Sequence, residues 1–279
     1  KLNNIISNSQ FLVAVYEYAN FNVQLKTKKI KNHYNESISL QEEDYIYSPL
    51  NGLLAEVTSV SSNGKVVSSH FKYAPDFSGS NEVALVSNNM VGIPIEKYQI
   101  VNGIQKDYLK IEYRPQLGLY MMMPMEINRK DISGNLITQI KYSKYDNNGN
   151  PLEIKLKSGP STVYLWGYQR QYPIAKIENS TYGEVVGILT QSVIDNMNSP
   201  AHSEVTIDGL IKSAADKLRS NLKNSQVTSY TYSPLVGMTS MTDSRGITEY
   251  YQYDGFQRLK DVLDFEKNVL TDYQYHYRP

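Results

Sequence analysis

The sequence predicts a mainly β protein, an antiparallel sheet of tyrosine-rich hairpin repeats with a pair of amphipathic helices inserted near 181–223. Three observations carry this. Tyrosine accounts for 24 of 279 residues, against six phenylalanines and one tryptophan. Its ring packs on a pleated surface while its hydroxyl reaches water or a polar partner. Asn-Gly or Gly-Asn pairs recur at Asn63-Gly64, Asn102-Gly103, Gly134-Asn135 and Asn148-Gly149, and such pairs tolerate the positive φ of a tight reversal. Finally, Tyr45-Ile46-Tyr47-Ser48-Pro49-Leu50-Asn51-Gly52 returns as Tyr230-Thr231-Tyr232-Ser233-Pro234-Leu235-Val236-Gly237, identical at six of eight positions. A unit that cannot bury itself alone, repeated, argues for a stacked or wrapped sheet.

Along the chain, Phe11-Leu12-Val13-Ala14-Val15 is a strand-sized apolar run. Alternation then places Phe21, Val23 and Leu25 on one face of a half-buried strand. Each copy of the repeat reads as strand, Pro-containing turn and strand, with Pro49 and Pro234 in equivalent bends. Phe71-Lys72-Tyr73 and Tyr251-Gln252-Tyr253 close the two units. A looser third unit runs through Tyr142, Tyr145-Asp146 and Asn148-Gly149-Asn150, and Tyr273, Tyr275 and Tyr277 continue the alternation at the carboxy-terminal end.

Two segments change period. Thr181-Tyr182-Gly183-Glu184 has capping-box spacing, and Val185, Leu189, Val193 and Met197 follow as one stripe, predicting a helix over 181–197. After Ser199-Pro200, Ile207, Ile211, Ala214, Leu218 and Leu222 share a face and predict a second helix over 206–223. The organisation expected is therefore amino-terminal strands over 1–44, β repeats over 45–180, a helical hairpin over 181–223 and a last repeat unit over 224–279.

Composition excludes several functions. With 28 basic and 28 acidic side chains the formal charge is zero, which argues against nucleic acid and polybasic membrane binding. The absence of cysteine removes disulfides, thiol catalysis, zinc–thiolate sites and iron–sulfur clusters. No run approaches the roughly 18 apolar residues of a transmembrane helix. A start at Lys1, without an initiator Met, is expected of a piece of a longer protein or a processed product.

Tyr253-Asp254-Gly255-Phe256-Gln257-Arg258-Leu259 resembles the Tyr-Asp signature of the bacterial RHS/YD-repeat proteins, and Tyr145-Asp146-Asn147-Asn148-Gly149-Asn150 resembles a second copy. Gln257 stands where that family usually has Gly before the Arg, so the turn there is a degenerate one. Asn89–Glu96, Tyr164-Leu165-Trp166-Gly167-Tyr168, Tyr172-Pro173-Ile174-Ala175 and Val236–Ser240 resemble the cell-surface branch of the family in Gram-negative bacteria. The resemblance runs from about residue 45 onward. It implies an exported, cell-surface or extracellular protein whose sheets curl around a carboxy-terminal cargo domain, with this chain a fragment of the repeat region. The partners it implies are neighbouring repeats or the cargo domain of the same full-length chain, and cell-surface glycans or proteins.

No chemical motif competes with that reading. Ser-x-x-Lys occurs at Ser62/Lys65, Ser69/Lys72 and Ser220/Lys223 without the companion elements of penicillin-interacting enzymes. His33, His70, His202 and His276 share no metal-ligand spacing, so no metal or other cofactor is expected, and exposed loop or strand-end positions suit them best. Asp146–Asn150 is oxygen-rich, but its Gly is misplaced for a calcium loop and a solvated hairpin turn fits better. Glu42-Glu43-Asp44 reads as a solvated gatekeeper before a strand. Tyr164, Trp166 and Tyr168 alternate onto one strand face and form the candidate ligand platform, one suited to sugar faces. Gly167 beside them points instead to close backbone packing. The expected function is non-catalytic: a sheet scaffold for surface presentation or enclosure of a partner, with a glycan-binding module as the alternative.

Overall fold

A computed structural model describes residues 23–34, 37–60, 64–116 and 121–276. The chain forms two compact units, Lys1–Ser69 and His70–Pro279. Sixteen strands and four α-helices lie among the described residues, and within each unit strands pair antiparallel in chain order. The mainly β class is as predicted.

In the first unit β1 (Thr27–Tyr34), β2 (Ser37–Tyr47) and β3 (Leu54–Val60) make a meander. Glu42, Glu43 and Asp44 lie inside β2 and not ahead of a strand. The register sets them opposite Lys29, Lys28 and Thr27, so Lys29 Nζ meets Glu42 at 2.9 Å and Thr27 Oγ1 donates to Asp44 at 2.9 Å. Such facing charges specify a pairing. The residues expected to bound the amino-terminal strands, 44 and 45, are consecutive positions of β2. Val23 and Leu25 precede β1, outside any strand and exposed, contrary to the half-buried strand expected of them. Phe21 and the run Phe11–Val15 lie outside the described residues.

β4 (Val66–Tyr73) runs into the second unit. A short 3-10 turn over Ala74–Asp76 and helix α1 (Ser80–Ser87) follow. This helix lies within the span 45–180 expected to hold β repeats. Of its apolar residues Leu85 alone is fully buried, with Ala74, Ile95, Tyr113 and Met122, so there is no stripe to read. The following strands are β5 (Pro94–Val101), β6 (Ile104–Pro115), β7 (Met122–Lys130), β8 (Leu136–Tyr145), β9 (Pro151–Leu156), β10 (Ser161–Gly167) and β11 (Tyr172–Glu178). Asn102-Gly103, φ +48° and +79°, joins β5 to β6 as a two-residue reversal, as the pair predicts.

Between β11 and β12 (Gln226–Ser233) come α2 (Tyr182–Leu189), α3 (Gln191–Asn196) and α4 (Glu204–Asn221). The single helix predicted over 181–197 is two, because Thr190 sits at φ +67°, ψ +151° and ends one helix while starting the next. The capping box is present: Thr181 Oγ1 accepts the Glu184 amide, and Glu184 accepts the Thr181 amide at 2.7 Å. Val185, Leu189 and Met197 still reach one core with Ile207, Ile211, Ala214 and Leu218 of α4. That core packs on Val163, Leu165, Ile174, Ile177 and Val227 of β10–β12. A Cβ on Gly167 would lie 2.6 Å from Ile174 Cγ2, so the close approach expected there is real.

The sheet ends with β13 (Gly237–Thr242), β14 (Thr248–Tyr253), β15 (Leu259–Leu263) and β16 (Val269–Asp272), an edge strand exposed along its length. Tyr273 and Tyr275 lie past that strand, although Tyr275 still donates to Leu259 O at 2.8 Å. Tyr277 lies outside the described residues.

The two Tyr-Ser-Pro-Leu copies both fold as strand, turn, strand, with Pro49 and Pro234 in the turns. Their turns differ. Gly52 (φ +71°) is the left-handed residue of the first, whereas Leu235 (φ +67°) serves in the second and Gly237 already opens β13. Consequently Tyr45 pairs with Val57, while its counterpart Tyr230 pairs with Met241, one residue nearer the turn.

One turn recurs five times among the described residues, starting at Asp131, Asp146, Asp243, Asp254 and Asp264. In each, the Asp amide bonds the carbonyl four residues on and its own carbonyl accepts the amide three residues on. Oδ1 accepts the amides two and four residues on at 2.8–3.0 Å. Oδ2 takes a side chain: Asn135, Asn150, Arg245, Arg258 or Asn268. The fourth residue is left-handed in every copy: Gly134, Gly149, Gly246, Gln257 and Lys267, at φ from +61° to +86°. The degenerate Gln257 turn therefore keeps the full geometry. Asp146–Asn150 is a hairpin turn whose carboxylate oxygens are both committed to the chain.

Candidate functional site

The three aromatics singled out in the sequence do not share a platform. Tyr164 and Trp166 are half-buried in β10, on the face opposite Val163 and Leu165. Trp166 Nε1 donates to Pro151 O at 3.0 Å. Tyr168 has left the strand: it is buried in the β10–β11 turn among the helices. Alternation fails there because Tyr168, Gln169 and Arg170 are all left-handed, at φ +50°, +61° and +64°, a run that side chains with a Cβ strongly disfavour.

The helices hold that turn. The Tyr168 amide donates to Met197 O at 3.1 Å, and the Arg170 amide to Asn198 Oδ1 at 2.6 Å. Asn198 Nδ2 reaches back to Trp166 O at 2.8 Å. From the next turn Asn150 Nδ2 donates to Arg170 O at 2.9 Å. The Tyr168 ring meets Tyr172 and Tyr232 edge-on, and Tyr172 stacks on Tyr232 with centroids 4.8 Å apart. Burial, then the Asp208 hydrogen bond, pushes the Tyr168 hydroxyl above the ordinary tyrosine range. Burial likewise raises Asp208 above the usual aspartate value.

Asp208 also borders a cleft of about 570 Å³ between α4 and strands β12–β14. The register builds its floor. Ser229 pairs with Thr242 and Thr242 with Thr248; Ser240 pairs with Thr231 on one side and Tyr250 on the other. Two rows of three hydroxyl side chains result. Thr231 Oγ1 lies 2.7 Å from Thr239 Oγ1 and 2.6 Å from Ser240 Oγ, and Thr242 Oγ1 lies 2.8 Å from Thr248 Oγ1. On the helix wall Asp208, Lys212 and Asp216 are spaced one turn apart. Arg219 closes one end, donating to Asp216 Oδ1, Val227 O, Ser229 Oγ and Thr242 O. Sequence reasoning missed this floor. Its signal was Ser or Thr at alternate positions (229 and 231, 240 and 242) continued by Thr248 and Tyr250.

The remaining candidates do not converge. His70 lies inside β4, stacked on Tyr98 at 4.7 Å, and not at a strand end. His202 is in a turn, His276 is exposed, and the His33 side chain lies outside those described. Ser69 and Lys72 lie in β4, Ser220 at the end of α4; Ser62 is outside the described residues. Among the described residues no group of three or more His, Asp or Glu side chains could hold a metal ion. No described helix is long and apolar enough to cross a membrane.

No family model matches the sequence and no curated protein is similar to it. Solved structures of toxin-complex chains are similar. A crystal structure of TcdB2-TccC3 without the hypervariable C-terminal region gives a TM-score of 0.39 at 10% identity, covering 86% of this chain and 11% of that one. TcdB2-TccC3 itself gives 0.37 at 10% identity, covering 84% and 11%. The Photorhabdus luminescens Tc holotoxin pore with the TccC3-D651A mutation gives 0.33 at 10% identity, covering 84% and 12%. The chain thus spans a small part of the length of these proteins.

Proposed function

We propose that this chain is a non-catalytic scaffold segment of an exported RHS/YD-repeat protein, whose stacked hairpins present a surface or wall off a partner. The observation that carries the reading is the five-fold Asp-clamped turn. Its hydrogen bonds are the same whether Gly, Gln or Lys occupies the left-handed position, so the element that recurs is a shape and not a reactive group. Polar side chains that are buried serve the frame: Ser229 receives Arg219, and Asn128 donates to Glu112 at 3.3 Å. The partners in this reading are neighbouring repeats or a cargo domain of the same full-length chain, at the cell surface or outside the cell.

Protease treatment of intact cells producing the full-length protein tests this. Release of a resistant block containing residues 70–276 supports an exported scaffold. Recovery in the cytosol alone, untouched by the protease, overturns the location. Ready cleavage at the Asp turns of the purified chain overturns the scaffold.

A further inference from the structure

We infer that Asn102 is a site of spontaneous covalent modification, losing ammonia through attack by the Gly103 amide nitrogen and becoming aspartate or isoaspartate. The sequence holds four Asn-Gly pairs, at 51–52, 63–64, 102–103 and 148–149, and Asn63 lies outside the described residues. Glycine lets the nitrogen that follows an asparagine approach its side chain, because no Cβ stands in the way. The fold then separates the pairs by what each glycine nitrogen is bonded to. The Gly52 amide donates to Ser48 O at 2.8 Å, and the Gly149 amide to Asp146 O at 3.2 Å. Each must break its bond before its nitrogen can attack. Asn102-Gly103 differs because its hairpin has only two turn residues. The ladder closes on Val101 and Ile104, so the Gly103 amide lies outside it, and among the described residues that amide has no backbone acceptor. Asn102 and Gly103 are both exposed, whereas Asn51 and Gly149 are half-buried. Apart from its chain neighbours, no atom lies within 4 Å of where a Gly103 Cβ would stand, so ring closure meets no obstacle and water reaches the ring.

The bonds balance with water as the only co-reactant. Deprotonated Gly103 N bonds to Asn102 Cγ, the Cγ–Nδ2 bond breaks, and the proton lost by Gly103 leaves with Nδ2 as ammonia. A cyclic imide remains, and water opens it at either carbonyl. Cleavage at Cγ restores the backbone and leaves aspartate. Cleavage at the Asn102 carbonyl carbon carries the backbone through Cγ instead, one methylene longer, and leaves isoaspartate. Nothing is oxidised or reduced. Either product adds a negative charge to a chain whose formal charge is zero. Isoaspartate also lengthens the turn that sets the pairing of β5 with β6, since loop length fixes hairpin register. The inference rests on the turns alone, and the scaffold role stands whether or not Asn102 reacts.

The test is peptide mass spectrometry of the folded 279-residue chain aged at mildly alkaline pH, beside the same chain unfolded in urea. Each asparagine's rate in the folded chain is divided by its own rate in urea, where the turns are gone. By that ratio Asn102 should exceed Asn51 and Asn148 by about tenfold, the factor that holding one hydrogen bond in the ground state supplies. Isoaspartate methyltransferase should label the peptide containing residue 102 in the aged folded chain, and Asn102→Gln should abolish that label. A ratio for Asn102 equal to or below that of Asn51 or Asn148 overturns the proposal. So does an Asn102 still unchanged in the folded chain when the urea sample has fully converted.

Discussion

Tyr168 donates its hydroxyl to Asp208 Oδ1 at 2.5 Å and accepts the Tyr232 amide at 3.0 Å. One phenol thus joins the β10–β11 turn, helix α4 and strand β12. Tyr168→Phe leaves a half-buried carboxylate and a backbone amide without partners, and should cost about 1–3 kcal/mol in urea unfolding. Asp208→Asn keeps an acceptor and removes the charge that burial disfavours, so it should destabilise less than Asp208→Ala at neutral pH. Equal losses from the two Asp208 variants would refute that account.

The left-handed position of the Asp turns gives a paired test. A Cβ added to Gly134 would meet open space, but the residue sits at φ +85°, so Gly134→Ala should cost about 1–2 kcal/mol through backbone strain alone. Gln257 occupies the same conformation with a side chain. Gln257→Gly should therefore stabilise by about 0.5–1 kcal/mol, the strain relieved less the added chain entropy. Calorimetric melts of both variants check the opposite signs.

Acid should weaken the same turns. Asp131 and Asp243 are held below the ordinary aspartate value mainly by the backbone amides of Asn135 and Ile247. Asp254 and Asp264 are held down mainly by the Arg258 and Asn268 side chains. Folded-state values below the unfolded ones mean that this stabilisation is complete above about pH 5 and is lost as pH falls through the unfolded value and then the folded ones. Circular-dichroism melts should show Asp254→Ala with a shallower loss between about pH 5 and pH 3 than the parent chain. Parallel curves would show that the carboxylates contribute nothing there.

Leu189 and Leu218 are 1% and 0% exposed in the core under the helices. Truncating either to Ala should cost about 2–5 kcal/mol. A melt that neither mutation moves would mean that the helices are not part of the cooperative unit.

Much of this architecture was legible because its signals are local. Asn102-Gly103 fixes its own turn, and Thr181 with Glu184 fixes a helix start. The spacing of Ile207, Ile211, Ala214 and Leu218 fixes the buried face of α4. What escaped reading depends on distant partners. Thr190 breaks a continuous stripe by taking a conformation its own side chain disfavours. Helix α1 buries too little to show a period. Tyr168 obeys the alternation of β10 in sequence and leaves it in space, since Met197, Asn198 and Asp208 hold it elsewhere. The cleft floor was hidden for another reason: alternating Ser and Thr read as any solvated strand until the register of three strands places them side by side.

Chain-order pairing has a kinetic consequence. Hairpins closed by two- to five-residue turns such as Asn102-Gly103 and Asp264–Asn268 bring together residues close in sequence, and such contacts form early and fast. The widest separation in the second unit lies between β11 and β12, whose pairing of Glu178 with Gln226 must wait for the intervening chain. That closure carries an entropic penalty which packing of α2–α4 shortens by drawing the two strands together. Refolding should therefore show a rapid phase for hairpins on either side of the helices and a slower one in which β11 and β12 join. Mutations in the helical core should slow the second phase and leave the first alone.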